Sequence, residues 1–354
     1  MFKLCCAGQF NMKKQVHIPF EKLDWELFCK RGALMAYFEK DQLVFGMGDA
    51  LEVGDVKFFQ RDFFNENTWE YIPEFVCFAH IDALQSINSS PGMPEVKGND
   101  DETYLEDINK ALSEFNEDFE KVVLISRESY SKSSAELKEL VKGILNARLG
   151  LNYGLWDEDS GILGSTPEIL FSKDGMKFKS MALASTRPID KAHELLEDKK
   201  ELIEHHLVVK DLKNKLKEQK DLEVGTSKIE KFGNLAHLRT DISFESELSI
   251  EELASLLGPT AALGGYPQGV AKQFIKNSKY YSKHPNRKFG GVVGVEHGKK
   301  AFALVAIRNI QWDKESYWIE SGGGVVKEST VENELSEIKR KRKVIRDIFF
   351  NENI

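Results

Sequence analysis

The segment YGLWDEDSGILGSTPEILFSKDGMKFKSMALA, residues 153–184, alternates short apolar runs with turn residues. Four runs are typical of β-strands: Tyr153–Trp156, Gly161–Leu163, Glu168–Phe171 and Met176–Ala184. The breaks at Asp157–Gly161 and Lys173–Gly175 contain the acidic and glycine residues that favour tight turns. The segment therefore predicts an antiparallel meander.

Similar strand patterns occur on both sides of this meander. The further predicted strands are Gly32–Phe38, Gln42–Phe45, Phe75–Ile81, Lys121–Arg127, His237–Phe244, Phe289–Glu296, Ala301–Gln311 and Ser316–Ser321. Segments with helical periodicity lie between these strand groups. The predicted helices are 102–119, Ser134–Leu149, Lys191–Leu216, Ile250–Leu257, Val270–Ser278 and Val331–Phe350. Antiparallel-looking strand groups with separate helices predict an α+β fold rather than a regular βαβ alternation. Without an internal repeat or a disordered linker, we expect one large domain.

Length, composition and net charge indicate which class of protein this chain belongs to. The chain has 354 residues, of which 41% are hydrophobic and 30% charged, as in a globular protein with a sizeable core. The formal net charge of −8 argues against nucleic-acid and anionic-membrane partners, and the basic run 339–343 lies in a helical pattern. No apolar run is long enough to span a membrane.

The four cysteines are Cys5, Cys6, Cys29 and Cys77, and they lack the paired CxxC spacing of a zinc or redox site. We therefore expect reduced thiols and a cytoplasmic protein. The first residues do not resemble a signal peptide, and Met12 is an alternative start.

Two predicted helices each carry a pair of glutamates three residues apart, Glu201 with Glu204 and Glu334 with Glu337. Residues at this spacing share a helix face. Four carboxylates facing one pocket would need a cation, and Mg²⁺ suits carboxylate oxygens and water better than zinc does. In a chain with 57 acidic residues, solvent-facing glutamates are the alternative interpretation.

The run Ser321-Gly322-Gly323-Gly324 follows a predicted strand and precedes the last helix. Glycines allow backbone N–H groups to approach an anion, so the run is either an anion-binding nest or a plain tight turn. Arg308, between apolar neighbours in a predicted buried strand, is either a carboxylate ligand or half of an internal salt bridge.

Lys121 and Glu168 are the candidates for acid–base chemistry. Lys121 opens an apolar strand, where desolvation would lower a lysine pKa towards the range of a base. Glu168 follows the turn Gly164–Pro167 at the start of a strand. Surface positions are the alternative for both residues.

Taken together, these segments resemble the chorismate-utilising enzymes, which include isochorismate, salicylate, anthranilate and aminodeoxychorismate synthases. The resemblance covers eight segments in order over about residues 105–350: 121–127, 164–170, 182–188, 201–209, 259–267, 290–294, 306–308 and 322–341. It implies antiparallel sheets sandwiched between helices, with residues 1–100 as the N-terminal part of the same domain and 101–354 as the chorismate-binding core.

The resemblance also implies roles at the acidic helices and the glycine run. Glu204 and Glu337 would hold Mg²⁺, with Glu201 and Glu334 helping through waters. The ring carboxylate of chorismate would lie against Gly322, Gly323 and Gly324 and near Lys341.

Other matched positions belong to the rest of the substrate site. Arg308 would hold the enolpyruvyl carboxylate, and His237 matches a pocket histidine. Thr186 lies in a substrate-contacting stretch, Ala182–Thr186, where the family usually has Ala-Leu-Ala-Gly-Thr. Ser185 replaces that glycine, and its added hydroxyl puts product identity in question.

Single residues indicate which members of the family this chain resembles most. Ala262 stands where the ammonia-using members usually have threonine, and Ala184 stands where aminodeoxychorismate synthases typically have a lysine nucleophile. Lys121 matches the base and Glu168 the acid of isochorismate and salicylate synthases. The expected reaction is the isomerisation of chorismate to isochorismate, with water attacking C2 and the C4 hydroxyl leaving.

Three alternatives remain: a salicylate synthase, an aminating anthranilate-type subunit, and a non-catalytic chorismate-binding protein. We expect no obligatory glutamine amidotransferase, and a monomer or homodimer. The downstream pathway, to menaquinone, a siderophore or salicylate, stays open.

Overall fold

The computed structural model describes residues 13–84, 94–132, 137–147, 150–232 and 235–350. Cys5, Cys6 and the alternative start at Met12 lie outside these residues. Within the described part, no helix is long and apolar enough to cross a membrane.

The strands and helices of the described part are listed here in chain order. The strands are β1 (Val16–His17), β2 (Gly32–Tyr37), β3 (Glu39–Ala50), β4 (Val56–Arg61), β5 (Thr68–Tyr71), β6 (Pro73–His80), β7 (Val96–Asn99), β8 (Lys121–Ser131), β9 (Leu151–Trp156), β10 (Gly161–Thr166), β11 (Ile169–Asp174), β12 (Lys177–Pro188), β13 (Lys220–Val224), β14 (Lys228–Phe232), β15 (Leu235–Glu245), β16 (Gly265–Tyr266), β17 (Val292–His297), β18 (Lys300–Val305), β19 (Asn309–Trp312) and β20 (Ser316–Val326). The α-helices are α1 (Trp25–Lys30), α2 (Asp101–Glu114), α3 (Leu137–Ala147), α4 (Lys199–Leu216), α5 (Ile250–Leu257), α6 (Gln268–Lys276), α7 (Lys279–Lys283) and α8 (Val331–Phe350).

The strands form two sheets. The first has the order β1-β6-β3-β2-β9-β10-β19-β20-β8-β16, with β7 added to β8, and the second has the order β13-β15-β12-β11-β18-β17-β4-β5, with β14 added to β15. The pairings are antiparallel except for β1 with β6. Both sheets contain strands from before and after residue 100, which are joined where β2 pairs with β9 and where β4 pairs with β17, and this makes one α+β domain.

Apolar side chains from both sheets meet in the middle of the molecule. Val44 and Leu155 of the first sheet pack in one cluster with Phe58, Val293 and Phe302 of the second. Side chains of α1, α3 and α8 cover the outer side of the first sheet. Helices α2, α4, α5 and α6 pack with the second sheet and β8. This arrangement confirms the predicted sandwich of sheets between helices.

The structure corrects three predicted elements. The glycine run lies inside β20, where Gly323 pairs with Leu124 of β8, and is neither a nest nor a turn. The helix predicted over Lys191–Leu216 is divided: a short 3-10 segment ends at Leu196, and α4 begins at Lys199 because the Asp198 side chain caps it by accepting from Glu201 N–H. The strand predicted over Ala301–Gln311 is broken at Arg308, which has a φ of 53°.

Candidate active site

The site is a cavity beside the points where the chain crosses from one sheet to the other. Its lining includes backbone and side-chain atoms from Val123, Pro167, Glu168, Leu183, Ala184, Ser185, Thr186, Glu204, His237, Ala262, Leu263, Phe289, Ile307, Arg308, Glu320, Ser321, Gly322, Gly324, Lys341 and Ile345. Ten of the fifteen residues predicted for the site are among them.

Two of the predicted residues occupy the crossovers. Glu168 lies between β10 of the first sheet and β11 of the second, and Arg308 lies between β18 and β19. Backbone bonds fix both turns: Val305 N–H donates to Glu168 O, and Ser165 N–H donates to Arg308 O, each at 3.1 Å. The two crossovers between the sheets thus place a carboxyl group and a guanidinium group in one cavity.

Glu168 is a buried carboxyl group with few polar neighbours. Burial raises its pKa to about 7, and Lys121, Thr260 and Arg308 counteract only part of that effect. Thr260 Oγ1 donates to Glu168 Oε1 at 3.5 Å, a long hydrogen bond. A carboxyl group with this pKa can carry a proton near neutral pH and give it up to a leaving group.

Lys121 is fully buried, and its Nζ lies 3.0 Å from Glu204 Oε1. Gly324 makes this contact possible, since a Cβ there would lie 2.4 Å from Glu204 Oε1 and 2.9 Å from Lys121 Cε. A cation bound at Glu204 would therefore compete with Lys121 for the same carboxylate oxygen.

We call Glu201, Glu204, Glu334 and Glu337 the acidic end of the cavity. Glu204 lines the cavity, whereas the other three are not among its lining residues, although all four were expected to face one pocket. Each carboxylate has a basic neighbour, at these distances: Lys121–Glu204 3.0 Å, Lys200–Glu334 3.1 Å, Lys341–Glu337 2.7 Å and Arg187–Glu201 3.5 Å.

Burial and mutual repulsion leave the acidic end only partly compensated. Burial and Glu204 raise the pKa of Glu201 to about 7. Burial also raises the pKa of Glu334, with repulsion from Glu337 and Glu204 adding to it. Burial alone would raise the pKa of Glu337, but Lys341 and Lys200 hold it below its ordinary value.

The acidic end was tested for its fit to a metal ion. No group of three or more His, Cys, Asp or Glu side chains in the described part is already gathered for metal coordination. However, Glu334 Oε2 is buried and has no hydrogen-bond partner. The donors are all carboxylate oxygens, which suit a hard divalent cation such as Mg²⁺. The residues therefore fit Mg²⁺, with the lysines as its competitors.

We call Arg308 and His237 the basic end. Within the described residues Arg308 has no carboxylate at ion-pair distance, and burial lowers its pKa to about 10. Its Nη2 donates to His237 Nε2 at 3.0 Å, so that nitrogen must be an acceptor. The ring proton is therefore on Nδ1, which donates to Ser185 O at 3.1 Å and lies 3.1 Å from Thr186 Oγ1. Burial, Arg308 and Lys341 lower the pKa of His237 to about 3, so the ring is neutral.

Ser185 has a left-handed backbone, with a φ of 63°, at a β-bulge where Ala184 faces Leu238 and Thr186 faces His237. Its hydroxyl donates to Glu201 O on α4 at 2.6 Å. The Ser185 hydroxyl is thus engaged by α4, and the left-handed backbone that favours glycine is retained here by a serine.

The glycine run and Lys341 lie together at one wall. Gly322 and Gly324 line the cavity, and Lys341 Nζ donates to Gly322 O at 3.0 Å. The three glycines have no side chains, so this part of β20 forms a wall of backbone atoms, which we call the glycine wall, instead of the predicted nest.

A profile of the family described as chorismate binding enzyme matches residues 67–349. The chain belongs to the chorismate-binding enzyme family. It is 25% identical over 296 residues to the isochorismate synthase MenF of Haemophilus influenzae, covering 77% of this chain and 68% of the relative. It is 31% identical over 207 residues to the isochorismate synthase EntC of Escherichia coli K12, covering 54% of this chain and 52% of that protein. It spans about half the length of several further curated relatives.

A solved structure confirms the fold of this chorismate-binding enzyme. The menaquinone-specific isochorismate synthase MenF from Escherichia coli superimposes with a TM-score of 0.74 at 19% identity, covering 94% of this chain and 93% of that one.

Sequence reasoning missed two neighbours of the predicted residues in this chorismate-binding enzyme. Lys200 precedes Glu204 by four residues, a spacing that shares a helix face, yet it was not identified as part of the site. Thr260 gave no local signal, because its contact with Glu168 depends on the tertiary fold.

Proposed function

We propose that this chorismate-binding enzyme is an isochorismate synthase that uses Mg²⁺. The observation that carries the proposal is Glu168, a buried carboxyl group with a pKa of about 7 that lines the same cavity as the unpaired Arg308. Isochorismate synthases among its relatives support this choice.

Substrate binding would use the opposite charges at the two ends. Chorismate carries two carboxylates, and Arg308 offers a planar guanidinium with no competing carboxylate among the described residues. Lys341 and the glycine wall would hold the ring carboxylate. When bound at Glu204 and Glu337, Mg²⁺ would take up carboxylate charge and help bind the ring carboxylate.

The chemical steps belong to two side chains. Lys121, as a neutral amine, would take a proton from the water that attacks C2. Glu168 would donate its proton to the C4 hydroxyl, which leaves as water while the ring double bonds shift. One water enters and one leaves, so the product is an isomer. The base and acid must have opposite protonation preferences from their free forms.

Two small residues support isomerisation over the alternatives. Ala184 lines the cavity and has no nucleophile that could form a covalent adduct with the ring. Ala262 also lines it and offers no hydroxyl. We further propose a cytoplasmic enzyme, active as a monomer or homodimer without an amidotransferase partner.

The direct test is to incubate the protein with chorismate and Mg²⁺, with and without ammonium, and to separate the products. Isochorismate alone supports the proposal. Salicylate with pyruvate, anthranilate, or no product would instead select a salicylate synthase, an aminating enzyme or a binding protein. Lys121→Ala and Glu168→Gln should each reduce turnover by about a hundredfold or more. Near-full activity of either variant would remove that residue from its role.

A further inference from the structure

Tyr104 of α2 and Glu334 of α8 share an unusual environment. Tyr104 is fully buried and Glu334 is 1% exposed. The hydroxyl of Tyr104 and Oε2 of Glu334 are both without a hydrogen-bond partner. Leaving a polar atom buried and unpaired costs about 1–3 kcal/mol, so two such atoms on neighbouring elements need an explanation.

Both oxygens point at the same glycine. A Cβ built on Gly323 would lie 2.9 Å from Glu334 Oε2 and 3.1 Å from Tyr104 Oη, and the next atom, Ile338 Cγ2, is 3.6 Å away. A side chain at this position would crowd both unsatisfied oxygens, so only glycine allows them to face one another here. Buried waters in proteins occupy such positions, where they bridge polar groups that cannot meet directly.

The other oxygen of Glu334 is fully engaged. Oε1 accepts from Ser329 Oγ at 2.7 Å and lies 3.1 Å from Lys200 Nζ. Any further stabilisation of the Glu334 carboxylate must therefore come through Oε2. Burial first, and then Glu334, Glu337 and Asp101, raise the pKa of Tyr104 well above its ordinary value, so its hydroxyl remains a donor.

We propose that Tyr104 is a positioning residue for the acidic end. Its hydroxyl donates to a water lodged beside Gly323, and that water donates to Glu334 Oε2. The bridge holds the Glu334 carboxylate in place. It thereby strengthens divalent-cation binding by the acidic end, an inference that rests on the proposed Mg²⁺ dependence.

The first test is calorimetric titration of Mg²⁺ into the substrate-free protein. Tyr104→Phe should weaken Mg²⁺ binding by about tenfold, because the Glu334 carboxylate loses the group that holds it in place. The control is Tyr130→Phe, which removes another buried hydroxyl, one bonded to Glu128, and should leave Mg²⁺ binding unchanged.

Gly323→Ala provides a second variant, because its methyl group would fill the water position. It should weaken Mg²⁺ binding in the same way, and combining it with Tyr104→Phe should add little further loss. Unchanged Mg²⁺ affinity in Tyr104→Phe, or additive losses in the double variant, would each overturn the proposal.

Stability without metal keeps the inference testable if the wild-type protein binds no Mg²⁺. The measurement is denaturant unfolding of Tyr104→Phe, Glu334→Gln and the double variant without Mg²⁺. If the two side chains share one bridge, the double variant should lose less stability than the sum of the two single losses. Additive losses would reject the bridge, whereas absent Mg²⁺ binding in the wild type would reject only the proposed metal.

Discussion

At the acidic end of the cavity each glutamate has a basic neighbour, whereas at the basic end Arg308 donates to the neutral ring of His237 and has no carboxylate at ion-pair distance among the described residues. Both ends are largely buried, so desolvation acts on both. Charge pairing at the acidic end maintains the fold and would have to be rearranged for a cation to bind. The unpaired charge at the basic end weakens the fold but leaves a site for an anion.

The difference predicts opposite responses of stability to charge removal. The largest effect is expected for Glu204→Gln, which leaves the fully buried Lys121 without its counterion. Breaking a buried pair from one side costs about 3–5 kcal/mol of unfolding free energy. Replacing both partners, as Lys121→Met with Glu204→Leu, should recover most of that loss. Denaturant unfolding of the wild type and of these two variants measures the loss and its recovery.

The exposed pair Lys228–Asp241 is the matched control, with Nζ 2.7 Å from Oδ2. Asp241→Asn should cost about 1 kcal/mol or less. If Glu204→Gln costs no more than this control, the buried pair does not support the fold as described.

Arg308→Met tests the basic end. We expect its unfolding free energy to be unchanged or higher, because an uncompensated buried charge is removed. In contrast, kcat/KM for chorismate should fall about a hundredfold, corresponding to loss of a charge-assisted carboxylate contact. Arg239→Met, which removes an arginine paired with Asp241, should leave kcat/KM unchanged. A strongly destabilised Arg308→Met would contradict the comparison.

Ser185 connects the two ends, since its carbonyl accepts from His237 and its hydroxyl donates to Glu201 O. Ser185→Ala keeps the left-handed backbone but loses the hydroxyl, and should cost about 1 kcal/mol. Ser185→Gly should be nearly neutral, because glycine relieves the backbone strain of about 1–2 kcal/mol.

Both Ser185 variants should still form isochorismate at rates within several-fold of the wild type. Product analysis checks that isochorismate is still formed, and denaturant unfolding curves check the expected changes in stability. A change of product in Ser185→Gly would show that the serine acts on the substrate rather than on α4.

The smallest effect concerns pH. Glu168 acts as an acid only while protonated, so turnover should decline as pH rises through about 7. Thr260 donates to Glu168 and favours its carboxylate, so Thr260→Val should move this decline upward by a few tenths of a pH unit. The pH dependence of kcat measures the shift, and a downward shift would mean that Thr260 does not donate to Glu168.

Local patterns predicted most of the fold. Turn residues and short apolar runs located β9 to β12, and periodicity located α8, because both features depend on neighbouring residues. The glycine run was interpreted as a nest or a turn, and not as a strand, because its identity as a strand depends on β8, far away in sequence. The break at Arg308 was missed because its apolar neighbours conceal a change of sheet.

The same distinction between local and long-range information applies to the residues of the site. Resemblance to a family supplied Lys121, Glu168 and Arg308, and the structure places Glu168 and Arg308 in one cavity with Lys121 beside its wall. The partners that set their charge states were not predicted. Lys200 competes for the glutamates and Thr260 contacts Glu168 only after folding, so neither relationship can be derived from spacing alone.

The ladder between β8 and β20 has a consequence for how the enzyme acquires activity. It joins Lys121 to Val326 and Val123 to Gly324, so the wall beside Lys121, the proposed base, is completed by a strand made much later in synthesis. Such high contact order slows folding, because a long loop must close before the contact can stabilise the fold. During translation, the nascent chain therefore contains Lys121 long before the glycine wall, and this side of the cavity is complete only once β20 has paired with β8.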